Sequence, residues 1–126
     1  MLIEPRKYGV KKDKEIPRLD SFKLTVTDIM IGNTEAVQYK WIDKDGNPVA
    51  KFTTFEHWDG KNICDLKVYT KYRKRGYSYQ LLDYATKRLR CKALAVRKEN
   101  EIAKHTYSKY GFRVVDQDDK YYYMYK

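Results

Sequence analysis

The stretch Val68-Tyr69-Thr70-Lys71-Tyr72-Arg73-Lys74-Arg75-Gly76-Tyr77-Ser78 decides the fold. The residues before it, Ile63 to Val68, have strand character, and those after Gly76 have helical periodicity. A strand that ends in a basic, glycine-containing loop and opens a helix makes a phosphate cradle. The first amides of a helix have no internal partners, and the helix dipole adds partial positive charge there. Gly76 allows close approach and an unusual φ. Arg73, Lys74 and Arg75 add full charges suited to a pyrophosphate. The plainer alternative is a basic turn ahead of a surface helix.

Downstream, Tyr77, Leu81, Ala85 and Leu89 recur every fourth residue, and Leu82 widens the stripe. This predicts an amphipathic helix ending in Lys87, Arg88 and Arg90, where the dipole favours cations. Residues 92–96 read as a strand. Glu101 to Tyr110 reads as a second helix, with Ala103, Tyr107 and Tyr110 on one stripe and Gly111 as its cap. A closing strand–turn–strand follows, rich in tyrosine. Upstream, Phe22–Ile31, residues 36–42, Pro48–Trp58 and Ile63–Val68 are strand-like runs joined by Gly32-Asn33, Asp43–Asn47 and Asp59-Gly60 turns. The order β-β-β-β-α-β-α-β-β predicts an α+β fold, a mixed and mostly antiparallel sheet with helices packed on it. Residues 1–20 are polar and read as a lead-in arm, with residues 21–126 as one domain.

The 126 residues suit one compact domain. The net charge of +10 is uneven: residues 61–98 hold 12 Lys or Arg against 2 Asp or Glu, and the remainder holds 15 of each sign. That placement suggests a polyanionic partner, either a phosphorylated cofactor or nucleic acid, unless it is a solvated basic helix face. No apolar run approaches the roughly 18 residues of a membrane span. The N-terminal stretch lacks the apolar core of a signal peptide, so cytoplasmic residence and no membrane partner are expected. Cys64 and Cys91 read as reduced, packed thiols. His57 and His105 are too far apart in sequence, without helical pairing, for a zinc site, so no metal is expected.

Two motifs resemble the GNAT superfamily of N-acetyltransferases. Arg73-Lys74-Arg75-Gly76-Tyr77-Ser78 is similar to the signature Gln/Arg-x-x-Gly-x-Gly/Ala between the family's fourth strand and the following helix. Leu66-Lys67-Val68 and Tyr72-Arg73 resemble the approach to that signature. Asn100, Ala103, Tyr107, Gly111 and Phe112 match Asn-x-x-Ala-x-x-x-Tyr-x-x-x-Gly-Phe without a gap. The resemblance covers about residues 36–126. It implies acetyl-CoA as the acetyl donor and a primary amine as acceptor. It implies that the backbone of Arg75, Gly76, Tyr77 and Ser78, with Arg73 and Lys74, binds the pyrophosphate. It also implies that the strand Leu66-Lys67-Val68 pairs with the pantetheine arm where the fourth and fifth strands splay, and that Asn100 touches that arm. Tyr107 would be the general acid beside the thioester sulfur, since a phenol stays protonated at neutral pH. A purely packed core aromatic is its alternative role.

The chain also departs from the family pattern. Ser78 stands where Gly or Ala is usual. The two helices that commonly follow the first strand and form one wall of the acceptor site have no counterpart in the sequence between the first two strands. Unless residues 1–20 supply a substitute, the acceptor side lacks that wall, which suits a macromolecular acceptor such as a protein lysine or N-terminus. The position of the family's glutamate base falls near Asn62, which cannot take a proton, leaving Asp65 or Glu56 to act through water unless both are ordinary surface charges. A second functional class remains open: a binding module on the same scaffold that grips nucleic acid or an acidic protein, with little or no acetyl transfer.

Overall fold

A computed structural model of the chain describes residues 16–57 and 60–126. Trp58 and Asp59, and most of the N-terminal arm, lie outside the described residues. The strands are β1 (Lys23–Ile31), β2 (Thr34–Ile42), β3 (Pro48–His57), β4 (Gly60–Val68), β5 (Ala93–Arg97), β6 (Arg113–Gln117) and β7 (Tyr121–Tyr125). Helix α1 (Tyr77–Asp83) follows β4, and α2 (Glu101–Tyr110) follows β5. The described strands form one sheet in the order β1-β2-β3-β4-β5-β7-β6. Neighbours are antiparallel except β4 and β5. The element order and the mixed sheet are those expected from the sequence.

Local chemistry explains the hairpins. Gly32 takes φ 61° at the first turn position, as a type II′ hairpin requires, and pairs Ile31 with Thr34. Thr34 and Glu35 therefore join β2, and the β1–β2 connection is only Gly32-Asn33. No helix lies between β1 and β2. The Asp43 carboxylate accepts from the amides of Asp45 at 3.0 Å and Asn47 at 2.9 Å, closing the β2–β3 turn.

Both helices pack on one face of the sheet. Tyr84 meets the rings of Tyr39, Trp41 and Phe52 with centroids 6.0, 5.2 and 6.3 Å apart. Tyr77, Leu81, Leu82 and Ala85 are buried as the helical stripe predicted, and Leu89 packs partly against the same core. Beyond Asp83 the helix widens: residues Tyr84–Arg88 form a π-type turn in which the Leu89 amide reaches back five residues to the Tyr84 carbonyl. The two helices are tied by the Tyr110 hydroxyl, which donates to Asp83 at 2.5 Å and lies 3.2 Å from the Thr86 hydroxyl. A short turn at Leu19–Ser21 buries Leu19 against α1, with the Leu19 amide donating to the Gln80 side chain at 2.7 Å. The Tyr77 hydroxyl donates to the Pro17 carbonyl at 2.6 Å. Among the described residues, no helix is long and apolar enough to cross a membrane.

Candidate active site

β4 is paired along its length with β3, but it meets β5 at only two positions, Asn62↔Ala93 and Ile63↔Leu94. From Cys64 onward, β4 leaves β5, opening a gap in the middle of the sheet. A bulge sharpens the bend there. The register slips between the pairs Lys51↔Lys67 and Thr53↔Cys64, and Asp65 adopts φ 52°. A left-handed aspartate inside a strand has no sequence signature, so this feature was not foreseen.

At the far end of β4 the chain makes a 3-10 turn over Thr70–Tyr72 and then passes through two left-handed residues, Lys74 at φ 64° and Gly76 at φ 82°. Among the described residues, no side chain caps the start of α1. Its leading amides remain available to an acceptor brought from outside. Val68, Arg73, Lys74, Gly76, Tyr77 and Ser78 line a cleft of about 300 Å³ together with Tyr72, Tyr79 and the α2 residues His105, Thr106 and Lys109. Among the described residues, the cleft wall contains Arg73, Lys74, Lys109 and His105 but no carboxylate. Free amides, basic side chains and the absence of acidic groups fit a diphosphate. The α2 contributors were missed in the sequence. Their signal was present, since His105, Thr106 and Lys109 share one side of a helix, but only packing shows which loop they face.

The remaining expected residues are more dispersed. Arg75 lies over the Tyr72 ring, 5.6 Å from its centroid. Arg73 donates from Nε to the Val68 carbonyl at 2.9 Å, so that carbonyl is already engaged. Leu66 packs partly against the core, while Lys67 is exposed with its ammonium 4.7 Å from the Tyr69 ring centroid. Asn100 caps α2, its side chain accepting from the Ala103 amide at 3.1 Å, and it does not line the cleft. Tyr107 is 6% exposed, and burial pushes its phenol up to about 12. Its hydroxyl has no hydrogen-bond partner among the described residues, yet no buried side-chain polar atom there is left unsatisfied. The ring is therefore packed while the oxygen reaches the surface.

Asp65 points to the sheet face away from the helices and forms an ion pair with Lys51 at 2.9 Å. Glu56 pairs instead with Lys61 at 3.9 Å on the helix face, cross-strand from it. Of the two carboxylates, only Asp65 sits at the gap. Burial pushes both Cys64 and Cys91 thiols up to about 11, which makes them poor nucleophiles at neutral pH. Among the described residues, no group of three His, Cys, Asp or Glu side chains could hold a metal.

The sheet is thus opened between β4 and β5, with a basic strand–loop–helix beyond the opening. Residues 8–112 match the acetyltransferase (GNAT) family, and the chain belongs to that family. Solved structures carry the same fold. The PaiA N-acetyltransferase of Thermoplasma acidophilum, in complex with coenzyme A, superposes with a TM-score of 0.59 at 21% identity, over 72% of this chain and 58% of its own. The spermidine/spermine N-acetyltransferase SpeG of Vibrio cholerae gives a TM-score of 0.57 at 14% identity, over 86% and 94%. Ard1 of Thermoplasma volcanium gives 0.57 at 22%, over 72% and 68%. No curated protein matches the chain significantly.

Proposed function

We propose that the protein is an N-acetyltransferase that moves the acetyl group of acetyl-CoA to a primary amine on a macromolecule, residues 21–126 acting as one domain behind an N-terminal arm. The observation that carries this is the basic cleft at the start of α1, free of carboxylates among the described residues, at the end of the strand β4 that has parted from β5. Acetyl-CoA would supply the activated acyl group. The chain's own residues then have distinct tasks. Amides of Arg75 to Ser78, with Arg73 and Lys74, hold the diphosphate. The free edge of β4 around Leu66, Lys67 and Val68 aligns the pantetheine arm as an added strand, and a strand amide near Val68 donates to the carbonyl oxygen as charge develops on it. Tyr107 keeps its proton at neutral pH and gives it to the departing sulfur. Asp65 accepts the proton of the attacking amine, directly or through water. Bringing the two reactants together in the gap contributes several kcal/mol by itself. The hairpin without intervening helices between β1 and β2 supports a macromolecular acceptor, because it omits one wall that would enclose a small one.

Isothermal titration tests the assignment. Saturable binding of acetyl-CoA is expected, at least about ten-fold weaker in Gly76→Asp, because a carboxylate would face the diphosphate and the φ of 82° disfavours any side chain. Salt-sensitive DNA binding without affinity for acetyl-CoA would instead establish the binding-module alternative.

A further inference from the structure

The pairing register places three lysines side by side. Lys40 is opposite Lys51, and Lys51 is opposite Lys67, on the adjacent strands β2, β3 and β4. Directly paired residues project to the same face, with strands about 5 Å apart. Tyr39, Trp41 and Phe52 face the helices, so by alternation this row occupies the opposite face, on which no described helix packs. Like charges set directly opposite one another destabilise a sheet. Only Lys51 has a carboxylate partner, Asp65 at 2.9 Å; Lys40 and Lys67 form no ion pair among the described residues. The row ends at the Asp65 bulge, where β4 departs from β5. The three cations thus lead across this sheet face to one anion, Asp65, beside the gap.

We infer that this row docks an acceptor polypeptide whose reactive amine is flanked by carboxylates, an inference that rests on the proposed transferase function. The sign pattern selects among acceptors. A polyamine carries only positive charge and would be repelled by Lys40 and Lys67. A nucleic-acid backbone carries only negative charge and would meet Asp65. A peptide amine flanked by Asp or Glu matches both signs: its ammonium approaches Asp65, and its carboxylates neutralise Lys40 and Lys67. Same-side residues of an extended peptide are about 7 Å apart, within reach of lysines on neighbouring strands.

Fluorescence anisotropy with labelled peptides, each carrying one lysine flanked by Glu, by Gln or by Lys, tests this without relying on turnover. The Glu-flanked peptide is expected to bind at least about ten-fold tighter than the Lys-flanked one at low ionic strength. Lys40→Glu should weaken it about five-fold, and Lys40→Arg should restore it, while acetyl-CoA affinity measured by titration stays unchanged in both. Equal affinity for the Glu- and Gln-flanked peptides, tighter binding of a single-stranded oligonucleotide of the same charge, or a loss in Lys40→Glu of acetyl-CoA rather than peptide affinity would each overturn the docking surface. Failure of the unaltered protein to bind acetyl-CoA would instead overturn the transferase assignment, and with it the acceptor role of any peptide bound.

Discussion

Tyr107 sits within a matched sequence motif and inside a packed core, and the two roles separate experimentally. Tyr107→Phe keeps the ring and removes only the hydroxyl. The expected result is a fall of about 100-fold in kcat with acetyl-CoA affinity unchanged, measured by steady-state kinetics and titration. A variant with full activity would leave Tyr107 as a core residue only. Burial also raises its pKa from 10.0 to about 12. The folded state therefore binds this proton more tightly than the unfolded chain does. The resulting stabilisation is complete below the unfolded pKa of about 10 and is lost as pH rises towards about 12. Urea midpoints across that alkaline range should fall more steeply for the native protein than for Tyr107→Phe. Tyr107 was legible because its spacing from Asn100 and Gly111 is a property of the sequence. The positive φ of Asp65 and Lys74 was not legible, since either residue fits an ordinary strand or loop.

Helix ends and helix contacts decide stability at the scale of elements. Asn100, which the family resemblance implies touches the cofactor arm, also caps α2, its side chain accepting from the Ala103 amide. Asn100→Ala should lower stability by about 1 kcal/mol, whereas Asn100→Asp, which retains an acceptor oxygen, should stay near the native value in thermal melts. If both variants weaken acetyl-CoA binding equally, the side chain has a ligand role beyond the cap. The link between helices rests on Tyr110, whose hydroxyl reaches Asp83 and Thr86 on the first helix. Tyr110→Phe should destabilise by about 1–2 kcal/mol in denaturant titration, as a hydrogen bond to a charged group is lost. Strand alternation and turn residues made most elements readable, and the Gly32-Asn33 turn marked correctly that no helix intervenes between β1 and β2. The π-type turn at Tyr84–Arg88 was not readable, because its residues suit an ordinary α-helix and the widening appears only in the Leu89 to Tyr84 bond.

Taken over the whole molecule, the basic segment that looked like one patch in sequence is divided by the fold. Arg73 and Lys74 reach the cleft, joined by Lys109 from outside the segment. Lys67 points to the opposite sheet face with Lys51. Lys87 pairs with Asp83 at the far end of α1, and Arg88 lies over Tyr84. Arg97 and Lys98 cover Tyr121 and Tyr122 on the last strand. A net charge of +10 therefore does not act as a single polyanion track. The cations at the cleft should contribute most to acetyl-CoA affinity, because charges farther away than the Debye length, about 8–10 Å at ordinary salt, are screened. Raising ionic strength to about 1 M, where that length is about 3 Å, should weaken acetyl-CoA binding by about ten-fold. Arg73→Gln with Lys74→Gln should remove most of that salt dependence, whereas Lys87→Gln with Arg88→Gln should leave it intact. Titration at low and high salt reads both outcomes. Equal flattening by the two double variants would mean that the molecule attracts its donor through its overall field rather than through the cleft.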